Sequence, residues 1–230
     1  MNTRKGEEAF FAVLWDNDLW MEIKRHMYVG IKSSTWDNYT DGDAAASQNY
    51  NSLIRSKSLK YTSYAMDIAA HNGNLEMVEF LHHAGNSCTK KAITWAASQG
   101  HKEVVEFLYE NRLSACSPKT VDGAVIGGWV DIAEYLLSRG ESCTNAAAVH
   151  AARVGDFDLI VLIFNMVESG IYPEDVVVSA SANGCLKILK WMEGEGYETF
   201  SEEALAYAKA RGQKRVVKYM ENLAECYSQF

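Results

Sequence analysis

Histidine and cysteine are the side chains of this 230-residue chain with the most chemistry open to them, and His82, His83 and Cys88 stand within one short segment. Imidazole and thiolate suit zinc, yet this spacing matches none of the recurrent zinc-ligand patterns. Cys88, Cys116 and Cys143 recur at steps of 28 and 27 residues, which marks them as one position of a repeated unit; Cys185 and Cys226 stand outside it. Packed helices lie about 8–10 Å apart, beyond the ~7 Å between α-carbons that a disulfide tolerates, so the three are expected as small buried apolar groups in a reducing compartment. Gly127-Gly128 is the nearest approach to a phosphate cradle, but no strand pattern precedes it. The chain has no GxxxxGK[ST] loop, HExxH helix or GxSxG elbow, and none of its six histidines is set in a triad-like motif with Ser or Cys. No catalytic residue, metal, cofactor or small-molecule substrate is expected.

What would position such groups is a repeat. Gly73, Gly100, Gly128, Gly155, Gly184 and Gly212 follow one another at steps of 27, 28, 27, 29 and 28 residues. Four residues before them stand Ala69, Ala96, Ala124, Ala151, Ala180 and Ala208, where a small side chain lets two helices approach closely. After each glycine come apolar pairs such as Val104-Val105 and Phe107-Leu108, whose spacing of three and four forms one stripe of a helix. Eleven residues before each glycine stand Thr62, Thr89, Ser117, Thr144, Pro173 and Ser201. Five of these carry a hydroxyl that caps a helix, and proline suits a helix start. Each unit therefore predicts two short helices joined by a glycine turn, and six units predict an all-α solenoid with helical N- and C-terminal caps.

The segments AMDIAAHNGNLEMVEFL from Ala65, AITWAASQGHKEVVEFL from Ala92 and AAVHAARVGDFDLIVLI from Ala147 resemble ankyrin repeats. The second unit carries the family's Ala-Ala, Gly-His and Val-Val elements at Ala96-Ala97, Gly100-His101 and Val104-Val105. The Thr-Pro-Leu-His element is missing and the period is shorter than the usual ~33 residues, a form similar to the divergent ankyrin repeats of large DNA viruses and oomycetes. The resemblance covers about residues 61–223. It implies a protein-binding adaptor or scaffold that uses the first helices and turns, with His101 bonding between repeats. Carried onto this chain, the residues before each glycine that meet a partner include His71, Asn72, Ser98, Gln99, Ile126, Arg153 and Asn183. Trp129, in the Gly-His slot of its unit, is either a contact anchor or a plug against the adjacent loop.

Residues 1–60 form a separate stretch ahead of the repeats at 61–230. EEAFFAVLWDNDLWMEIKRHM fits two short helices, and Asn17 and, more weakly, Asn49 of AAASQNYNSLIRS stand where a repeat would have its glycine. KSSTWDNYTDGD is expected as an exposed loop. This stretch reads as a cap of degenerate repeats. A second reading is an F-box-like segment that recruits a ubiquitin ligase, with Leu14, Trp20 and Ile23 carrying the contact, and a third makes the protein a packing piece of a larger assembly such as a virus particle. Lys209, Arg211, Gln213, Lys214, Arg215 and Lys218, with Glu202, Glu203 and Glu221 alongside, read as the solvated side of a C-terminal cap.

Charge narrows the partners. The formal net charge is −8, and no stretch is a basic field suited to phosphates, so nucleic acid is not expected. The apolar run from Leu159 to Ile163 is far short of the ~20 residues that span a bilayer, and MNTRKGEEAF lacks the apolar core of a signal peptide. The expectation is a cytoplasmic or nuclear protein, in a host cell's cytoplasm if viral.

Overall fold

The computed structural model describes Asp43, Ala46, residues 61–167 and residues 169–227. Among these residues are twelve α-helices and no strand. They alternate as first and second helices of six repeats: α1 (Ser63–His71) and α2 (Leu75–His83), α3 (Lys91–Gln99) and α4 (Lys102–Glu110), α5 (Pro118–Gly127) and α6 (Val130–Ser138), then α7 (Asn145–Val154) and α8 (Phe157–Met166), α9 (Pro173–Asn183) and α10 (Leu186–Gly194), α11 (Glu202–Ala210) and α12 (Lys214–Tyr227). Each first helix packs on its own second helix and on the first helix of the next repeat; second helices stack from α2 through α10. This is the expected all-α solenoid. The helical pair, loop and F-box-like segment expected over residues 1–60 lie outside the described residues, Asp43 and Ala46 apart.

The helices start where hydroxyls and proline stand. Thr62 and Thr144 accept from the amides of Tyr64 and Ala146 at 3.1 and 3.2 Å, and Ser201 from that of Ala204 at 3.0 Å. Ser117 caps α5 through a capping box with Thr120, its own amide donating to Thr120 Oγ1 at 3.3 Å. Two expectations shift by one residue. α3 starts after Lys90 rather than Thr89, although Thr89 Oγ1 still accepts from the Lys91 amide at 3.1 Å. Pro173 is the first residue of α9, not its cap, because its ring already holds a helical φ; Tyr172 precedes it.

Every first helix ends the same way. The turn glycine is left-handed in all six repeats, with φ between 69° and 85°, and the amide of the residue after it turns back to the alanine four residues before it. Asn74→Ala69, His101→Ala96, Trp129→Ala124, Asp156→Ala151, Cys185→Ala180 and Gln213→Ala208 are all 2.8–3.0 Å long. These bonds satisfy carbonyls that a helix end leaves open. All six of these alanines are fully buried. Most of the bulkier core side chains come from the second helices, among them Leu81, Leu108, Leu136, Ile163 and Met192, while Met66 and Ile93 come from first helices.

A buried carboxylate ladder joins repeats at their starts. Asp67 Oδ1 and Oδ2 accept from the Thr89 amide and hydroxyl at 2.7 and 2.6 Å, and Asp122 does the same for Thr144 at 2.8 Å each. Asp43 takes the amide of Thr62 at 2.8 Å and also its hydroxyl. Thr94 fills this slot in the second repeat and meets Thr120, Oγ1 to Oγ1, at 2.9 Å. Further on, Asn145 holds the next loop instead, accepting from the Tyr172 amide at 3.0 Å and donating to Asp175 at 2.6 Å.

Second helices end at Gly85, Gly140 and Gly196 in the first, third and fifth repeats, each left-handed, but the second repeat puts Arg112 there at φ 52°. A Cβ in that conformation costs about 1–2 kcal/mol, partly offset by the smaller freedom of Arg in the unfolded chain. Arg112→Gly is expected to raise stability by about 0.5–1 kcal/mol in urea unfolding; a lower midpoint would show that Arg112 makes a compensating contact.

Candidate protein-interaction face

The turn residues form a row because the first helices stack with their ends level. Along it, the residue after each glycine decides what covers the repeat before. His101 Nε2 donates to the His71 carbonyl at 3.0 Å, Trp129 Nε1 to the Ser98 carbonyl at 3.0 Å and Gln213 Nε2 to the Ala182 carbonyl at 3.3 Å. Each of these side chains also lies over the preceding turn glycine, so that a Cβ added at Gly73, Gly100 or Gly184 would collide with it. Trp129 covers Gly100 and Gly127 together and remains 39% exposed.

The expected contact residues fall into two groups. His71 is exposed, meets Asn72 at 3.3 Å, and sets its ring edge-on to Trp95 at 5.8 Å. Ser98 donates to the Trp95 carbonyl at 2.9 Å and gives its own carbonyl to Trp129. His71, Ser98 and Trp129 are thereby brought together through Trp95, while Gln99 is exposed beside them. Ile126 is 54% exposed, and Arg153 is exposed one repeat on. Asn183 stands apart: it donates to the Ser179 carbonyl at 2.8 Å and takes Arg211 Nη1 at 3.4 Å.

Trp95 is the residue that sequence reasoning passed over. Lys91 Nζ lies 5.6 Å from its ring centre. Its place four residues before Gln99 puts it on the same helix face as the turn row, and this spacing was the available signal. Val154, 62% exposed, joins Ile126 and Trp129 as the apolar part of the row.

The two residues before each turn glycine include no carboxylate, in a chain of net charge −8. At the starts of the first helices the charge is divided. Lys90, Lys91 and Lys119 are exposed in the second and third repeats, and Glu174, Asp175, Glu202 and Glu203 in the fifth and sixth. His150, on the inner side of α7, has its basicity lowered by burial and then by the charge of Arg153. In the last repeat Lys209, Arg211, Lys214, Arg215 and Lys218 are exposed, and Lys209 pairs with Glu221 at 2.9 Å.

The cysteines do not build a site. Cys88, Cys116, Cys143 and Cys185 are free thiols, and only Cys143 is fully in the core. Burial pushes the thiols of Cys88 and Cys116 up to about 11 and that of Cys143 up to about 12, so they are protonated, weak nucleophiles at neutral pH. Cys88 Sγ donates to the Leu113 carbonyl at 3.2 Å, in the repeat that follows. No cluster of three or more His, Cys, Asp or Glu able to hold a metal ion occurs among the described residues, and no helix among them is long and apolar enough to cross a membrane.

A stack of helix–turn–helix units with closed cores and an exposed, variable turn row defines a repeat solenoid. A family model for ankyrin repeats (3 copies) matches residues 44–122 and again residues 65–147. Residues 44–147 thus carry ankyrin repeats, and such repeats are a protein-interaction module. Beyond residue 147 the same helix pair, turn glycine and returning hydrogen bond continue through the sixth repeat. The first match starts directly after Asp43, whose bonds to Thr62 repeat those of Asp67 to Thr89. Among curated proteins, none matches the chain.

Proposed function

We propose that this protein is a non-catalytic adaptor or scaffold that holds a protein partner on the face made by its first helices and turns. The observation that carries this reading is the exposure of Ile126, Trp129 and Val154 on consecutive turns, where each repeat elsewhere presents polar or small groups. Large apolar side chains kept in water on a regular frame mark surfaces that a partner covers. The opposite side is different in kind. Its charges pair along the second helices, Lys102 with Asp131 and Arg139 with Glu110, each at 3.6 Å. The divided charge of the first-helix starts supports a partner lying along the stack, with its acidic part towards Lys90, Lys91 and Lys119.

The test is affinity capture from the native cell with the full chain as bait. Ile126→Asp combined with Val154→Asp, both at exposed positions, is expected to weaken the captured partner at least tenfold, the equivalent of about 1.4 kcal/mol. Glu134→Lys on the exposed side of α6 is expected to leave capture unchanged. The reverse pattern, with Glu134→Lys losing the partner and the double variant keeping it, would move the binding face to the second helices.

A further inference from the structure

The outer sides of the second helices carry a charge pattern that reverses along the stack. Three residues after each turn glycine stand Glu76, Glu103, Asp131, Asp158, Lys187 and Arg215, all exposed. Six residues after it stand Glu79, Glu106, Glu134, Val161, Lys190 and Lys218, exposed or half-buried. The two positions lie about one turn apart on the same side of the helix. Both rows are acidic through the third repeat and basic in the fifth and sixth, and the change falls at α8. That helix holds no lysine or arginine, and beyond Val161 it leaves Met166 48% exposed. Contacts within the chain cancel little of the pattern. Lys102 meets Asp131, and Arg139 meets Glu110, at 3.6 Å between exposed side chains, where water weakens the attraction. Two acids of the basic half are engaged: Glu193 accepts from the Tyr219 hydroxyl at 2.5 Å and Glu221 from Lys209 at 2.9 Å.

We propose that two copies of this chain associate through this face as an antiparallel, two-fold symmetric dimer. A two-fold axis along α8 reverses the order of the repeats and keeps the direction of the helices, so the third repeat meets the fifth, the second meets the sixth and the fourth meets itself. Glu134 and Asp131 of one copy then face Lys190 and Lys187 of the other, and Glu106 and Glu103 face Lys218 and Arg215. The first repeat has no counterpart and overhangs. Val161 meets Val161 at the axis, which gives the contact an apolar middle between charged flanks. Asp158 meets Asp158, the one like-charge meeting in the two rows. The pattern selects a second copy because, turned end for end about the fourth repeat, it becomes its own complement. A uniformly acidic or uniformly basic partner would be repelled by half of the face. The contact lies apart from the turn row, which stays open to the partner of the adaptor reading.

Sedimentation velocity of the full chain over a range of concentrations tests the dimer. In low salt the chain is expected to approach twice its mass of 25.7 kDa and no more. Association is expected to weaken at least tenfold in about 1 M salt, where charges more than about 3 Å apart are screened. Glu106→Lys with Glu134→Lys turns the acidic half basic, and Lys190→Glu with Lys218→Glu turns the basic half acidic. Each of these four changes installs a residue type that the same position holds in another repeat, so the fold admits it. Either double variant alone is expected to be monomeric. An equimolar mixture of the two is expected to recover the dimer, because a basic row then faces an acidic row in both halves. Both variants remain net negative, so overall charge would not draw them together. Val161→Lys is expected to weaken the dimer at least tenfold, and Asp158→Asn to tighten it at least twofold. A chain that stays monomeric in low salt, an oligomer that grows past two, a dimer of either double variant alone, or a mixture of the two folded variants that stays monomeric would overturn the proposal. A dimer lost with Ile126→Asp and Val154→Asp but kept in both charge-reversed variants would move self-association to the turn row and overturn it as well. Loss of partner capture by the turn row with the dimer intact would strike only the adaptor reading.

Discussion

Replacing Asp122 by alanine is expected to remove about 2–3 kcal/mol of stability, because two hydrogen bonds to a carboxylate disappear together and such bonds are worth about 1.5–3 kcal/mol each before relaxation. The carboxylate is only 8% exposed and holds both the amide and the hydroxyl of Thr144 at 2.8 Å. Its loss falls on the boundary between the third and fourth repeats. A solenoid owes its cooperativity to such boundaries, so urea unfolding should broaden or split as well as shift to lower denaturant. Asp67→Ala is expected to do the same between the first and second repeats, where the carboxylate is 2% exposed. Asp122→Asn, whose amide oxygen can still take the Thr144 N–H, should cost less than Asp122→Ala. A double-mutant cycle with Thr144→Val isolates the pair, with a coupling of about 1 kcal/mol or more expected for groups in one network. An unchanged midpoint in Asp122→Ala, or no coupling, would reduce the ladder to an accident of geometry.

Ala124→Leu is expected to cost about 1–3 kcal/mol by overpacking. Ala124 is fully buried on α5, which packs against both α3 and α7, and its carbonyl accepts the Trp129 amide at 2.8 Å. A leucine there pushes apart helices that are in contact on either side, and the shift would pull on the turn that seats Trp129. Thermal unfolding checks the size of the loss, and Gln99→Ala is the control, expected to stay within about 0.5 kcal/mol as surface changes do. If Gln99→Ala were as damaging as Ala124→Leu, the buried and exposed sides of the first helices would be exchanged.

Much of this architecture was open to reading from residue types alone. Ala69, Ala96, Ala124, Ala151, Ala180 and Ala208 recur with the turn glycines because stacked first helices admit one small residue at one depth, and a constraint of that kind repeats with the unit. Left-handed φ at Gly73 through Gly212 and the hydroxyls of Thr62, Thr144 and Ser201 at helix starts are likewise local demands of the backbone. Such demands depend on neighbours in sequence, and sequence shows neighbours.

The positions that escaped are those whose partner sits in the next repeat. Asp67 and Asp122 look like solvent-facing acids on amphipathic helices until the stack places Thr89 and Thr144 against them. Trp95 acquires its setting from His71, a full repeat away.

From the sequence by itself came the period, the helix pairs, the turns, the buried alanines and the resemblance to ankyrin repeats, since all of them follow from the 3.6-residue helix and the preferences of single residues. Only the tertiary structure decided what Trp129 does within the chain. Its indole lies over Gly100 and Gly127 and bonds to Ser98, whereas Asp156 in the same slot turns to its own helix and leaves Gly128 bare. A side chain between two repeats can satisfy either one. Which one it serves depends on whether it carries a donor or an acceptor and on what the adjoining repeat holds within reach.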